Sequence, residues 1–227
     1  MSSIIVISAI PFEAQETCSV LREHLPCTEY ALVGVGPIAA AKSEAVLAEK
    51  CKGKIALYIG SCGSFYEFEK PHLVTTQRVH WMPPCIRTGI ASAPEHLYQP
   101  YDLSIPRLNL PIKTVLTSPS ISLVNDFSPT LYQRLPPSSD LVENMELYSC
   151  GRGLTQALSL HIILGVTNGV GPEGRKQWAM NSRHVAKMTA EYVRSNISFF
   201  VDWVEKYKKY ETRERIFNLK TDMTDLT

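Results

Sequence analysis

The sequence predicts an α/β fold, a three-layer sandwich around a mixed, largely parallel central sheet. Three observations point there. Short, wholly apolar runs such as Ile4-Ile5-Val6-Ile7 and Ile55-Ala56-Leu57-Tyr58-Ile59 recur along the chain, as strands buried on both sheet faces require. Helical stretches separate these runs at the spacing of crossover connections. Glycine turns, Gly34-Val35-Gly36 and Gly60-Ser61-Cys62-Gly63, follow two of the runs. At 227 residues the chain suffices for one such domain with a sizeable core.

The elements follow in order. The first strand is Ile4-Ile5-Val6-Ile7, and a helix follows from Pro11 to His24, since Pro is tolerated in a first helical turn. Tyr30-Ala31-Leu32-Val33-Gly34-Val35 reads as the second strand, and Gly34 and Gly36 turn the chain into an Ala-rich helix over 38–50. The third strand, 55–59, ends in the Gly60-Ser61-Cys62-Gly63 turn. Pro71, Pro83, Pro84, Pro94, Pro100, Pro106 and Pro111 break any long helix in the middle of the chain. A strand at 73–79 and an extended loop to about Leu110 are expected there, the loop serving as a pocket wall or subunit contact. The sheet resumes at 112–117. A helix from Ser120 or Leu123 to Leu135, a short strand near Leu141, a helix at 145–158, a strand at 161–167 and a long helix at 174–208 complete the domain, 1–210. The tail, 211–227, is charged and short of apolar anchors.

Bulk properties exclude several function classes. Lys and Arg number 23 against 22 Asp and Glu, so no charge excess favours nucleic acid or an anionic membrane. No apolar run reaches the roughly 18 residues of a membrane span. The opening Met1-Ser2-Ser3 carries no basic segment and leads directly into a strand. Cys18, Cys27, Cys51, Cys62, Cys85 and Cys150 show neither CxxC pairing nor His partners at metal spacing, which predicts reduced thiols, a cytoplasmic location and no metal site.

Candidate chemistry lies where the strands end, since ligands of open α/β sheets bind at the carboxyl ends of strands. Glu13, one helical turn past the first strand, either faces such a pocket or remains a solvated first-turn carboxylate favoured by the helix dipole. Gly34-Val35-Gly36-Pro37 fails as a dinucleotide fingerprint because Ala39 stands where a third Gly is needed. Ser61 is not a nucleophile elbow, since residue 59 is Ile. Cys62 has no His partner marked in the sequence. The Ser61, Cys62, Gly63 turn is better suited to presenting amides and a hydroxyl to a small polar ligand. The run Leu141-Val142-Glu143-Asn144-Met145-Glu146 opens a helix. There Glu146 can accept two hydrogen bonds from a vicinal diol, while Met145 packs on a sugar face. Asn168, after Thr167 at the end of a buried run, offers the donor and acceptor needed to read a purine edge, or else simply forms a turn before Gly169. Together these residues suit a nucleoside pocket.

In this order the motifs resemble the nucleoside phosphorylase/nucleosidase superfamily, and within its hydrolase branch the bacterial futalosine hydrolases of menaquinone biosynthesis. The resemblance spans residues 4–204 and rests on Pro11-Phe12-Glu13, the two glycine turns, Glu143-Asn144-Met145-Glu146, and Thr167-Asn168 followed by Gly171-Pro172, Arg175 and Trp178. It implies a purine nucleosidase without cofactor or metal. Glu13 would be the general base toward water. Ser61, with Cys62 and Gly63, would position water or ribose, and Met145 and Glu146 would bind the ribose. Asn168, with Thr167 beside it, would hold the departing base. The resemblance also implies a homodimer in which a neighbour's loop closes the 5′ side. Trp81, His96 and Tyr98, in the Pro-rich 81–106 region, are candidates for that wall. A phosphorylase needs cationic or amide anchors for phosphate. Here Glu13 and Tyr58 occupy the two places where the phosphorylase branch carries Arg, which favours hydrolysis. The enzymatic alternatives are a methylthioadenosine/S-adenosylhomocysteine or an aminodeoxyfutalosine nucleosidase. A non-catalytic nucleoside-binding protein is the alternative of another class, and it has no use for a water-activating Glu13.

Overall fold

A computed structural model describes residues 3–92, 100–103 and 108–209. His96, Tyr98 and the 211–227 tail therefore lie outside the described residues. The strands are β1 (Ile4–Ser8), β2 (Glu29–Leu32), β3 (Ile55–Ser64), β4 (His72–Trp81), β5 (Tyr101–Asp102), β6 (Ile112–Thr117), β7 (Leu141–Asn144) and β8 (Ser159–Gly169). The helices are α1 (Pro11–His24), α2 (Pro37–Cys51), the single turns α3 (Pro84–Arg87) and α4 (Pro129–Tyr132), α5 (Leu147–Leu154) and α6 (Gly174–Ser195), with α7 at 197–209.

The mixed, largely parallel sheet is present, but it is not the flat middle layer of a sandwich. It closes on itself. β3 pairs with β8 in parallel, β8 with β4 antiparallel, β4 with β6 and β6 with β7 in parallel, and β7 returns antiparallel to β3. The result is a five-stranded barrel, with β1 and β2 extending from β3 and β5 attached to β4. Closure needs bent strands, and the bends coincide with register shifts between Cys62 and Gly63 and between Thr76 and Arg78. Gly60-Ser61-Cys62-Gly63 is thus not a turn after the third strand; it is the bent second half of a longer one. Small residues in that half let the strand curve, and they hid the continuation from a reading based on apolar runs.

The wholly apolar strands are explained by two cores. Along β1, Ile5 and Ile7 point into a core closed by α2 and α5, while Ile4 and Val6 point into one closed by α1, α6 and α7. This is the period-two alternation of a strand, with both sides dry. Contact is close on each face. A Cβ on Gly165 of β8 would stand 1.8 Å from Val185 Cγ1 of α6, and one on Gly153 of α5 would stand 2.6 Å from the Glu44 carbonyl of α2.

Two other expectations are corrected. The helix over 120–135 is one turn, α4, because tertiary hydrogen bonds claim the preceding segment. Glu143 accepts from Ser122, while the buried Arg87 donates to the Val124 and Asp126 carbonyls. The long C-terminal helix breaks at Asn196, whose side-chain amide donates to the Tyr192 carbonyl at 2.8 Å, a local bond that competes with helix continuation.

Candidate active site

The site arises where β3 changes neighbours. Its first half pairs with β1 as far as Tyr58, and its second half pairs with β7 from Gly63 onward. Between them one edge of β3 has no strand partner, and its backbone groups must be satisfied by side chains. Two residues from different elements do this. Glu13 of α1 accepts from the Ser61 amide at 3.1 Å, and Asn144 at the end of β7 donates through Nδ2 to the Ser61 carbonyl at 3.0 Å. A cavity of about 340 Å3 opens over this gap, lined among others by Glu13, Ser61, Met145, Glu146, Asn168 and Trp178.

Glu13 is buried, not the solvated first-turn carboxylate of the alternative reading. Its Oε1 also accepts the Ser61 hydroxyl at 2.6 Å, and Oε2 has no partner. Burial pushes its carboxyl from 4.5 up to about 7, against the opposing pull of the Ser61 hydrogen bond and with a smaller push from the Glu146 charge. A carboxylate tuned to neutrality can take a proton from water at working pH.

Glu146 stands at the start of α5 and its carboxylate is held from two sides. Its Oε1 accepts from the Gly36 amide at 2.8 Å, and its Oε2 accepts from Asn144 Nδ2 at 3.0 Å. Gly36 can present that amide because it adopts a φ of 82°, open to glycine, on the turn into α2. Each Glu146 oxygen keeps lone-pair capacity for a further donor, as a sugar diol provides. Burial raises this carboxyl too, and the Gly36 amide and Asn144 restrain the shift. Met145 borders the same cavity beside Gly36.

Asn168 stands near the end of β8 with its amide orientation fixed. Its Oδ1 accepts the Thr167 hydroxyl at 2.7 Å, and Nδ2 donates one hydrogen to the Gly169 carbonyl at 2.9 Å. One N–H and one oxygen lone pair remain for a ligand. Asn168 thus lines the cavity with this capacity unused. Thr167, fully buried, does not line the cavity; it serves Asn168 from behind. Gly63 borders the cavity, and a Cβ there would stand 2.7 Å from Asn168 Nδ2. Cys62 also lines it, but burial pushes its thiol well above the ordinary range, which leaves no thiolate for nucleophilic attack.

Sequence reasoning left Asn144 without a role, although it ties Ser61, Glu146 and α5 together. Its Oδ1 accepts the Glu146 and Leu147 amides at 3.0 and 2.8 Å, the bonding of a helix-capping Asn. An Asn two residues before a helix-opening Glu is a signal that could have been read. Trp178, noted without a role, donates its indole N–H to Ser61 Oγ at 3.0 Å. Among the described residues no group of three or more His, Cys, Asp or Glu is placed to hold a metal. None of the described helices is long and apolar enough to cross a membrane.

The barrel and its flanking helices share their fold with solved nucleosidase structures. Solved structures with the same architecture include a futalosine hydrolase mutant of Helicobacter pylori (TM-score 0.66, 9% identity, covering 87% of this chain and 99% of that one). They also include an MTAN from Chlamydia trachomatis bound to MTA (0.63, 15%, 88% and 100%). A third is an MTAN mutant of Helicobacter pylori with 5′-methylthioadenosine in its active site (0.64, 11%, 87% and 99%). No protein-family model and no curated protein sequence matches the chain.

Proposed function

We propose that this protein is a purine nucleosidase that hydrolyses the N-glycosidic bond of futalosine, or of a related purine nucleoside, and so serves menaquinone biosynthesis. The observation that carries the reading is the convergence on one cavity of Glu13, Glu146 and Asn168, with Glu13 raised to about 7. In this reading Glu146 accepts the ribose hydroxyls. Glu13 removes a proton from water as the water oxygen bonds to C1′. The C1′–N9 electron pair leaves with the base, whose proton comes from solvent. Asn168 is not an acid, so it stabilises the departing base by hydrogen bonds alone.

The remaining valences of Asn168 suit a 6-oxo purine. Nδ2 can donate to the 6-oxygen while Oδ1 accepts from a protonated N7; a 6-amino purine meets the same pair with Nδ2 donating to N7 and Oδ1 accepting from the amino group, so relative base release decides between the two. The second reading is an MTA-cleaving or aminodeoxyfutalosine-cleaving nucleosidase, supported by the MTA-bound structures of like fold. In either case we expect a cytoplasmic homodimer whose partner closes the 5′ side of the cavity. Base release measured side by side from futalosine, aminodeoxyfutalosine and methylthioadenosine tests the choice. Fastest release from futalosine is expected. Tight nucleoside binding by calorimetry with no base released from any of the three would overturn the enzymatic reading in favour of a binding protein.

A further inference from the structure

Trp178 is not accounted for by the reaction just described, although it lines the same cavity. Its ring packs obliquely on Phe12, with centroids 6.3 Å apart, and the Arg183 guanidinium lies over the Phe12 ring at 5.4 Å. This fixes the indole of α6 against the first turn of α1. The indole N–H, which can only donate, meets Ser61 Oγ at 3.0 Å. Ser61 Oγ in turn lies 2.6 Å from Glu13 Oε1, which can only accept when ionised. With a donor on one side and an acceptor on the other, the Ser61 hydroxyl has a single consistent orientation.

We infer that Trp178 is a positioning residue that acts through Ser61: its N–H locks the Ser61 hydroxyl as a donor to Glu13 Oε1, reserving Oε2 for the attacking water. The inference rests on the nucleosidase reading for its purpose, but the chain of bonds exists without it. Two physical effects follow from the chain. The rotor cannot turn away to another acceptor, and donation by the indole polarises the hydroxyl, strengthening its own donation to the carboxylate. Both favour ionised Glu13, so Trp178 opposes the burial that raises this group. The other titratable groups around Glu13 are Glu146 from the β7–α5 junction, Tyr58 and Cys62 on β3, and Tyr30 on β2. Arg175 of α6 and Glu143 of β7, whose carboxyl accepts from Ser122, also border the cavity. Burial pushes the two phenols and the thiol upward, so near neutrality they stay uncharged, and Glu146 is the group whose charge bears on Glu13.

The test is a carbon-13 NMR titration of Glu13 in the free protein, its carboxyl resonance identified as the one lost in Glu13→Gln. Ser61→Ala is expected to raise the midpoint by about one pH unit, the worth of one charge-assisted hydrogen bond. Trp178→Phe is expected to raise it by less, and the double variant to match Ser61→Ala alone, because Trp178 has no route to Glu13 once the hydroxyl is gone. Replacing Trp178 by its benzothiophene analogue, which keeps the ring and lacks the N–H, is expected to reproduce the Trp178→Phe shift. An unchanged midpoint in Trp178→Phe, additive shifts in the double variant, or wild-type behaviour of the benzothiophene protein would each overturn the inference. Since no substrate enters the titration, a wild-type protein that releases no base would count against the nucleosidase reading and leave this test standing.

Discussion

Replacing Glu13 by Gln should make the protein lose activity and gain stability over the same pH range. The folded state holds this carboxyl at about 7 against 4.5 for the free side chain, chiefly because burial disfavours its charge. At about 1.4 kcal/mol per pH unit, the ionised group costs the fold about 3 kcal/mol. The sign is that of a proton bound more tightly by the native state. The contribution of Glu13 to stability is greatest below pH 4.5, falls as pH rises through about 7, and is flat above. Gln keeps an oxygen for the Ser61 donors but titrates nowhere, so the slope disappears. Any pH-independent penalty from burying the new amide shifts the whole curve without tilting it. Urea unfolding of both proteins from pH 4.5 to 8 should therefore give a difference in unfolding free energy that moves by about 3 kcal/mol in favour of Gln. Turnover should fall by about a hundredfold or more, as expected for loss of a general base. Parallel stability curves for the two proteins, or undiminished turnover in the variant, would refute the reasoning.

In the wild type, kcat/KM should decline below pH 7 with unit slope as Glu13 takes up its proton, and the decline should be absent from the residual activity of Glu13→Gln. Glu146→Gln sets an amide against one of two donors, the Gly36 N–H or Asn144 Nδ2, and removes an acceptor for the sugar; kcat/KM should drop by about two orders of magnitude or more in initial-rate assays. Asn168→Asp supplies a protonatable oxygen beside the base and should move the preference between 6-oxo and 6-amino nucleosides by about tenfold or more toward the amino compound, read from paired base-release rates. Gly165→Ala drives a methyl into Val185 and should lower stability by at least about 3 kcal/mol in the same urea assay, with little change in the site chemistry of the folded fraction.

Much of this architecture is legible in the sequence. β1, the first half of β3 and most of β8 are apolar on both faces because two helical layers cover them, and such runs are hard to mistake. Barrel closure is not legible: it depends on a bend within β3 written in small residues, Gly60-Ser61-Cys62-Gly63, which resemble a turn when read locally. The segment before α4 looks helical by composition, but Arg87 and Glu143, distant in sequence, capture its backbone instead. Glu13, Ser61, Met145, Glu146 and Asn168 meet at one cavity because strand ends gather side chains from separate motifs. Adjacency to Asn168 groups Thr167 with them, yet alternation along β8 turns it away from the cavity. The bond from Trp178 to Ser61 joins residues far apart in sequence, and no local pattern announces it.

The most direct measurement follows base release from futalosine in buffer free of phosphate, then with phosphate added. A water molecule activated by Glu13 requires steady hypoxanthine release in the phosphate-free buffer, unchanged when phosphate is supplied and slowed by about a hundredfold or more in Glu13→Gln. Release that depends on phosphate, or that proceeds undiminished without the Glu13 carboxylate, would contradict it.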